Sequence, residues 1–229
     1  MNQYKNYIKF KKWDTFLSYT VQEKKFYSAI FNKIELRNKY LLDFGFGTGS
    51  LLKWSSDRGA FVYGIEIQKE LIDIARKKIG KSDITLYENI RQLSKIKFDI
   101  VTLLNVLEHQ TKENVPLFLK QIYMNMKNGG ILIITIPNCQ SPAGFANQFG
   151  DPTHLSMLSG PILHEILRAT GFKQIYYKSK PIQNSENFLY RLIKKVTLPF
   201  QLAFILLYKL TFSIKNTPLG PDVIIFAKK

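Results

Sequence analysis

Leu41-Leu42-Asp43-Phe44-Gly45-Phe46-Gly47-Thr48-Gly49-Ser50 is the stretch that decides the fold of this chain. An apolar strand ends at a carboxylate, three glycines follow at alternate positions, and a helix opens at about Ser50. Glycines there let the backbone turn sharply and come close to a ligand, with the N–H groups of the helix start facing it. Glu66 ends the next apolar run, near the interval of roughly 20 residues expected of a carboxylate that accepts ribose hydroxyls. A dinucleotide loop needs G-x-G-x-x-G, whose third glycine allows close packing beside a pyrophosphate. Here the third glycine comes one residue early, at Gly49, and Ser50 takes the dinucleotide position. Asp43, inside the strand end, suits a cationic ligand better than a pyrophosphate.

Outward from this loop, short apolar runs alternate with longer amphipathic stretches, the pattern of βαβ units. Strands are expected at 40–44, 61–66, 84–87, 98–104, 131–136, 172–177 and 223–227. Helices are expected from about Ser50, at 69–79, at 113–126 with Gly129-Gly130 as a left-handed cap, and at 161–170 ending on Gly171. Residues 138–151, rich in Gly, Pro and Asn, show no periodicity. The fold class is therefore α/β: a doubly wound, mainly parallel, seven-stranded sheet of the Rossmann-like kind. Residues 1–37 read as an N-terminal helical extension, with Trp13, Phe16, Leu17 and Val21 on an apolar face. Residues 38–229 form the main domain, with an apolar and basic helical insertion at 185–215 before the last strand.

That insertion contains RLIKKVTLPFQLAFILLYKL. Its uninterrupted apolar core is shorter than the roughly 18–20 residues of a spanning helix. One reading lays 188–214 in a membrane interface with Lys194, Lys195 and Lys209 at the headgroups. The other, preferred because no clean two-faced wheel is visible, packs it on the domain as a lid or dimer contact.

Composition sets outer bounds. With 45% hydrophobic and 14% aromatic residues among 229, the chain can bury a substantial core. Cys139 is the one cysteine, which excludes an internal disulfide and points to a reducing, cytoplasmic setting, with the inner face of the membrane as its extension. The first residues lack an apolar run, so no cleaved secretory leader is expected. The net charge of +16 favours anionic partners, although abundant Lys, Ile, Asn and Phe are also what an AT-rich genome produces.

The D-x-G-x-G-x-G loop followed by an acidic end to the second strand resembles class I S-adenosylmethionine-dependent methyltransferases. The resemblance covers residues 38–178 and includes FDIVTLLNVLEH at 98–109, MKNGGILIITIPN at 126–138 and ATGF at 169–172. Those phrases are similar to the branch acting on small metabolites, quinone precursors and sugars, and GDPTHLSMLS at 150–159 resembles a loop of surface-glycan methylation enzymes. The resemblance implies S-adenosylmethionine as cofactor and S-adenosylhomocysteine as product. By position, Gly45, Gly47 and Gly49 would line the methionine part and Asp43 would hold its amino end. Glu66 would bind the ribose, Ile67 would pack on the adenine, Asn89 and Ile90 would meet the adenine edge, and Asn105 would close over the cofactor.

Methyl transfer from a sulfonium is an in-line displacement, governed by positioning. A hydroxyl acceptor also needs a base, and imidazole titrates in the right range. His154 leads the candidates, because it stands in an irregular loop with Asp151 three residues before it; His109, after the fourth strand, is second. Glu108 could serve as base, and His164 and Cys139 read as bystanders. No metal is expected, since Asp151 and His154 are the one pair at ligand spacing. The acceptor is expected to be a hydroxyl or amine of a small molecule, a sugar or surface-glycan precursor or a phosphorylated metabolite, with quinone precursors and lipids as alternatives. An RNA methyltransferase and a non-catalytic membrane-associated subunit are further alternatives. Nucleic acid is disfavoured: Leu104-Asn105-Val106-Leu107 stands where amino-methylating relatives carry [N/D]-P-P-[Y/F].

Overall fold

A computed structural model describes residues 15–79, 84–93, 96–180, 188–212, 218 and 220–229. One seven-stranded sheet organises the molecule. Its strands are β1 (Tyr40–Phe44), β2 (Phe61–Ile65), β3 (Ile84–Tyr87), β4 (Phe98–Leu104), β5 (Met126–Pro137), β6 (Lys173–Ser179) and β7 (Asp222–Lys228). The spatial order is β3-β2-β1-β4-β5-β7-β6, with β7 antiparallel to both of its neighbours and the other pairs parallel. The expected doubly wound sheet is what forms.

Successive residues of the central strands point into opposite faces, and both faces are apolar, as a sheet covered on two sides requires. Leu42, Val101 and Ile134 enter one core with Val115 and Leu119 of helix α4 (Asn114–Asn125) and Leu163 and Leu167 of α6 (Gly160–Thr170). Leu41, Ile100 and Ile133 enter the other with residues of α1 (Val21–Ile30), α2 (Ser50–Ser56) and α3 (Lys69–Ile79). Trp54 of α2 sits at the centre of that second layer, against Tyr27 and Phe31. A core leucine such as Leu42, fully buried, is worth about 2–5 kcal/mol against alanine.

Four expectations need correction. The N-terminal helix is not a face running through Phe16, Leu17 and Val21. It starts at Val21, where Thr20 and Glu23 form a reciprocal capping box, and Val21 is exposed while Phe16 is buried ahead of it. Trp13 lies outside the described residues. Gly129 and Gly130 do not cap the helix: α4 ends at Asn125, and the pair sits inside β5, hydrogen-bonded to Lys229. Gly129 has φ +78°, so it turns the chain within the strand rather than at a helix end.

Residues 138–151 are not wholly irregular, because α5 (Pro142–Phe149) forms there. It begins with proline in its first turn, where a missing N–H costs nothing. Gly144 lets it approach β5: a Cβ there would stand 2.1 Å from the Asn138 carbonyl oxygen. Lastly, α7 (Phe188–Thr211) is a continuous helix with Pro199 inside it, and no described side chain of it is buried. Among the described residues it presents no buried face to the domain. Among the described residues no helix is long and apolar enough to cross a membrane.

The order of strands reverses between β1 and β4. In open α/β sheets the crevice outside the carboxyl ends at such a reversal is the ligand site.

Candidate active site

The glycine loop leaves β1 at that reversal and is tied to β2, with Gly45 N–H donating to the Ile65 carbonyl at 2.7 Å and Phe46 N–H to the same oxygen at 3.3 Å. Gly45, Gly47 and Gly49 all have positive φ, at +73°, +54° and +74°. Side chains are excluded at two of them by space as well. A Cβ on Gly45 would lie 2.8 Å from Val106 Cγ2, and one on Gly49 would lie 2.8 Å from Leu17 Cδ2. Leu17 belongs to the segment before α1, whose backbone N–H donates to the Thr48 carbonyl at 2.8 Å and so holds that segment on the loop.

The two carboxylates flank this cradle. Glu66 accepts from Gly47 N–H at 3.1 Å through Oε2, and from Ile67 and Gln68 N–H at 2.8 and 3.1 Å through Oε1. Its carboxyl is held above the ordinary range because burial outweighs those three donors. Asp43 is 3% exposed, and burial pushes its carboxyl up to about 7, opposed by the Thr102 hydroxyl donating to Oδ1 at 2.7 Å, with repulsion from Glu66 adding to the rise. A buried acid poised to ionise is the complement of a cationic group, so these residues fit a cofactor with an ammonium at one end and a ribose at the other. Ile67 stands exposed beside Glu66, in place to be covered by a flat ring. Asn89 is exposed and spends Oδ1 on Arg91 N–H, and Ile90 is half-buried at the start of a short 3₁₀ turn.

Asn105 follows β4 in the left-handed region, φ +58°, a conformation asparagine tolerates better than most residues. Its side chain does not lie loose over the cradle. Oδ1 accepts from Thr135 Oγ1 at 3.0 Å and Nδ2 donates to Glu108 Oε1 at 3.0 Å. Glu108 is fully buried, and burial lifts its carboxyl to about 8. Burial thus favours its neutral form, and its Oε2 has no hydrogen-bond partner among the described residues.

Beyond Asn105 opens a cleft of about 330 Å³, lined by His109, Asp151, His154, Lys180 and Asp222 among others. All three candidate catalytic residues meet here, although 42 positions separate His109 from Asp151. The imidazoles of His109 and His154 stand edge to face, 4.8 Å between centroids. His109 Nδ1 lies 3.1 Å from the Thr153 carbonyl and 3.0 Å from Thr153 Oγ1. That hydroxyl donates to Asp151 Oδ1 at 2.6 Å, which also accepts Thr153 N–H at 3.0 Å. The carbonyl can only accept, so Nδ1 carries the proton and Nε2 is the acceptor nitrogen of His109. Asp151-Pro152-Thr153-His154 is thus an Asx turn that aims a hydroxyl at the ring.

His154 is placed differently. Its Nδ1 donates to the Gln148 carbonyl at 2.9 Å, and its Nε2 is 4.0 Å from Asp151 Oδ2. The ring links α5 to the turn, with its side chain only 8% exposed.

Sequence reasoning missed Thr153, Lys180, Asp222 and Asn147. Lys180 Nζ lies 2.7 Å from Asp222 Oδ2, and Asn147 Nδ2 donates to Asp222 Oδ1 at 2.7 Å. The available signal was an acidic residue heading the otherwise apolar β7. The spacing argument against a metal also counted too few donors, because one atom each of Glu108, His109 and His154 lie within 4.8 Å of one another. Cys139, whose thiol burial pushes up, contacts Gln148 rather than the cleft centre.

A family model described as a methyltransferase domain matches residues 17–177, from the segment covering the glycine loop to β6. The chain belongs to that family. Among curated proteins it is 26% identical over 220 residues to a probable fatty acid methyltransferase of Pseudomonas putida, covering 82% of this chain and 55% of that one. It is 33% identical over 82 residues to a ubiquinone biosynthesis O-methyltransferase of Coxiella burnetii, covering 34% of this chain and 35% of the relative. The chain thus spans about a third to a half of the length of these relatives. Among solved structures, a SAM-dependent methyltransferase from Archaeoglobus fulgidus shares the methyltransferase fold, with TM-score 0.63, 21% identity, and coverage of 90% of this chain and 94% of the other. The Haemonchus contortus phosphoethanolamine N-methyltransferase 2, solved with S-adenosyl-L-methionine, does so with TM-score 0.65, 17% identity, and coverage of 100% and 58%.

Proposed function

We propose that this methyltransferase-family chain transfers the methyl of S-adenosylmethionine to a hydroxyl of a small, polar acceptor, best matched by a sugar or surface-glycan precursor. The observation that carries the reading is the Gly47 N–H to Glu66 hydrogen bond, which brings the glycine loop and the ribose-binding carboxylate to one point beside buried Asp43. Gly45, Gly47 and Gly49 would cradle the methionine part, Asp43 would meet the ammonium, Glu66 would turn its carboxylate to the ribose, and Ile67 would cover the adenine beside Asn89 and Ile90. The cofactor supplies a methyl already activated on sulfur. What the protein adds is alignment and a place for a proton.

That place is His109. Its Nε2 accepts the hydroxyl proton, and the Thr153 hydroxyl, itself held by Asp151, fixes the ring. His154 keeps α5 and the turn together, so it is a positioning residue. Burial of Glu108 disfavours a second charge beside the ring. Polar side chains at the cleft wall, Lys180 and Asp222 with the histidines among them, favour a hydroxyl-rich acceptor over a fatty acyl chain. A quinone precursor is the second reading, supported by the named ubiquinone O-methyltransferases.

The test has two stages. Calorimetry should show binding of S-adenosylmethionine and not of NAD, and failure of the first ends the proposal. S-adenosylhomocysteine release is then followed with panels of nucleotide sugars, polyprenylated catechols and fatty acids. The H109A variant should keep cofactor affinity and lose about 10²-fold or more in turnover, the usual contribution of a general base. A near-wild-type rate in that variant would remove His109 as the base.

A further inference from the structure

Helix α7 stands outside everything argued so far. It runs for 24 residues between β6 and β7, and its described apolar side chains face solvent: Phe200 is 75% exposed, Leu210 69% and Leu207 64%. Twelve large apolar residues from Leu189 to Phe212 are exposed in this way. A soluble surface helix does not do this, because a contiguous apolar face left in water marks an interaction site.

The face has a shape. At about 100° per residue, Leu192, Val196, Phe200, Ala203, Leu207 and Leu210 fall on one arc. Thr197, Gln201, Tyr208, Lys209 and Lys195 fall on the other, where Leu198, Leu202 and Ile205 interrupt them. The wheel is two-faced after all, once the register is carried through Pro199. Its sequence includes Arg191, Lys194, Lys195 and Lys209 and not one acidic residue. The whole chain carries a net charge of +16.

We infer that α7 lies in the plane of an anionic lipid bilayer, with the Leu and Phe arc among the acyl chains and the lysines at the headgroups. Charge chooses this occupant over a second copy of the chain. Two such helices face to face would bring like charges together on molecules that already repel, whereas an anionic surface attracts each Lys or Arg near it. Insertion across the bilayer is a separate matter, and no described helix is long and apolar enough for it.

The helix is tethered at the rim of the cleft. Lys180, just after β6, and Asp222, which opens β7, are paired at 2.7 Å, both line the cleft, and the chain leaves and returns between them. An in-plane α7 would hold the cleft mouth at the lipid surface. The consequence that the acceptor is an amphiphile with its polar end at that surface rests on the methyl-transfer reading above; membrane binding itself does not.

Flotation of the full chain with phosphatidylglycerol–phosphatidylcholine vesicles, and with phosphatidylcholine alone, tests the inference without any acceptor. Wild type should float with the anionic vesicles, lose that binding in high salt, and stay behind with the neutral ones. The V196D/F200D variant should no longer float, and K195E/K209E should weaken binding by about tenfold or more, from about 1 kcal/mol per basic residue. Lys195, Val196 and Phe200 are exposed and Lys209 is half-buried, so unchanged thermal unfolding and unchanged S-adenosylmethionine binding should confirm an intact fold. Two results would overturn the inference: wild type that stays behind with anionic vesicles, or undiminished flotation of V196D/F200D. Sedimentation equilibrium in the absence of lipid adds a third, a dimer that V196D/F200D dissociates, which would make α7 a self-interface.

Discussion

Replacing Asp43 by asparagine should make the ligand-free protein progressively more stable than wild type as the pH rises. Asp43 ionises at an ordinary value of 3.8 when unfolded and at about 7 when buried in the native site. Below the first value both states hold the proton and the group has no pH-dependent effect. Between the two, the unfolded chain releases its proton while the folded chain keeps it, so unfolding becomes steadily easier. Above about 7 the full cost is present. The interval is about three pH units, and at about 1.4 kcal/mol per unit it amounts to about 4 kcal/mol. Asparagine removes the titration but keeps an Oδ1 to accept the Thr102 hydroxyl, so packing is preserved. Urea unfolding, followed by fluorescence with buried Trp54 as reporter, should give a D43N-minus-wild-type difference that grows by about this amount from pH 4 to pH 8. Glu108 titrates in the same direction in both proteins and cancels. A difference that does not change with pH would refute the claim that Asp43 is an acid strained by burial. It would also remove the electrostatic reason for assigning this site an ammonium ligand.

Three further outcomes follow from the same geometry. The G45A variant must place a Cβ 2.8 Å from Val106 Cγ2 at φ +73°; it should lose about 1–3 kcal/mol by thermal unfolding and about tenfold or more in S-adenosylmethionine affinity by calorimetry. Because burial keeps Glu108 protonated up to about pH 8, the E108Q variant should match wild-type turnover at pH 7 and be the more stable of the two at pH 9, as chemical denaturation would show. Protein dialysed against EDTA should turn over as before, since the histidines are proposed to move a proton and not to hold a cation; loss of rate, restored by a divalent metal, would reassign Glu108, His109 and His154 as ligands.

The fold was readable wherever one local signal coincided with burial. β1 and the loop after it announce themselves because Leu41 and Leu42 are both fully buried on opposite faces and glycine alone accepts the turns that follow. Where two signals competed, the local one lost. Gly129-Gly130 has the chemistry of a helix cap, yet pairing with Lys229 draws it into β5. Pro142, Gly144 and Asn147 suggest a loop, yet the contact of Gly144 with Asn138 makes a helix the conformation that fits against β5. Helix α7 looked patternless because Leu198, Leu202 and Ile205 dilute its polar side.

The site divides along the same line. Its cofactor half is contiguous in sequence, from Asp43 to Glu66, because one βαβ unit builds it. The half proposed for the acceptor comes from four separate segments that the strand order brings to one end of the sheet. His109 follows β4, Asp151 to His154 lie beyond β5, Lys180 ends the run from β6, and Asp222 opens β7. Residue type and loop context were enough to nominate two histidines. They could not show that Thr153 joins His109 to Asp151, because that relation exists only once β4 and β5 lie side by side. Loop context ranked His154 above His109; in the structure both rings give Nδ1–H to a backbone carbonyl, so what separates them is the rest of their surroundings. His109 meets the carbonyl of Thr153, in the turn Asp151 organises, and His154 meets that of Gln148 in α5. The first arrangement orients an imidazole by a carboxylate through a hydroxyl; the second fastens a helix to a loop. That distinction is why His109 is proposed as the base and His154 as its support, the reverse of the order that loop context suggested, and the H109A measurement acts on it directly.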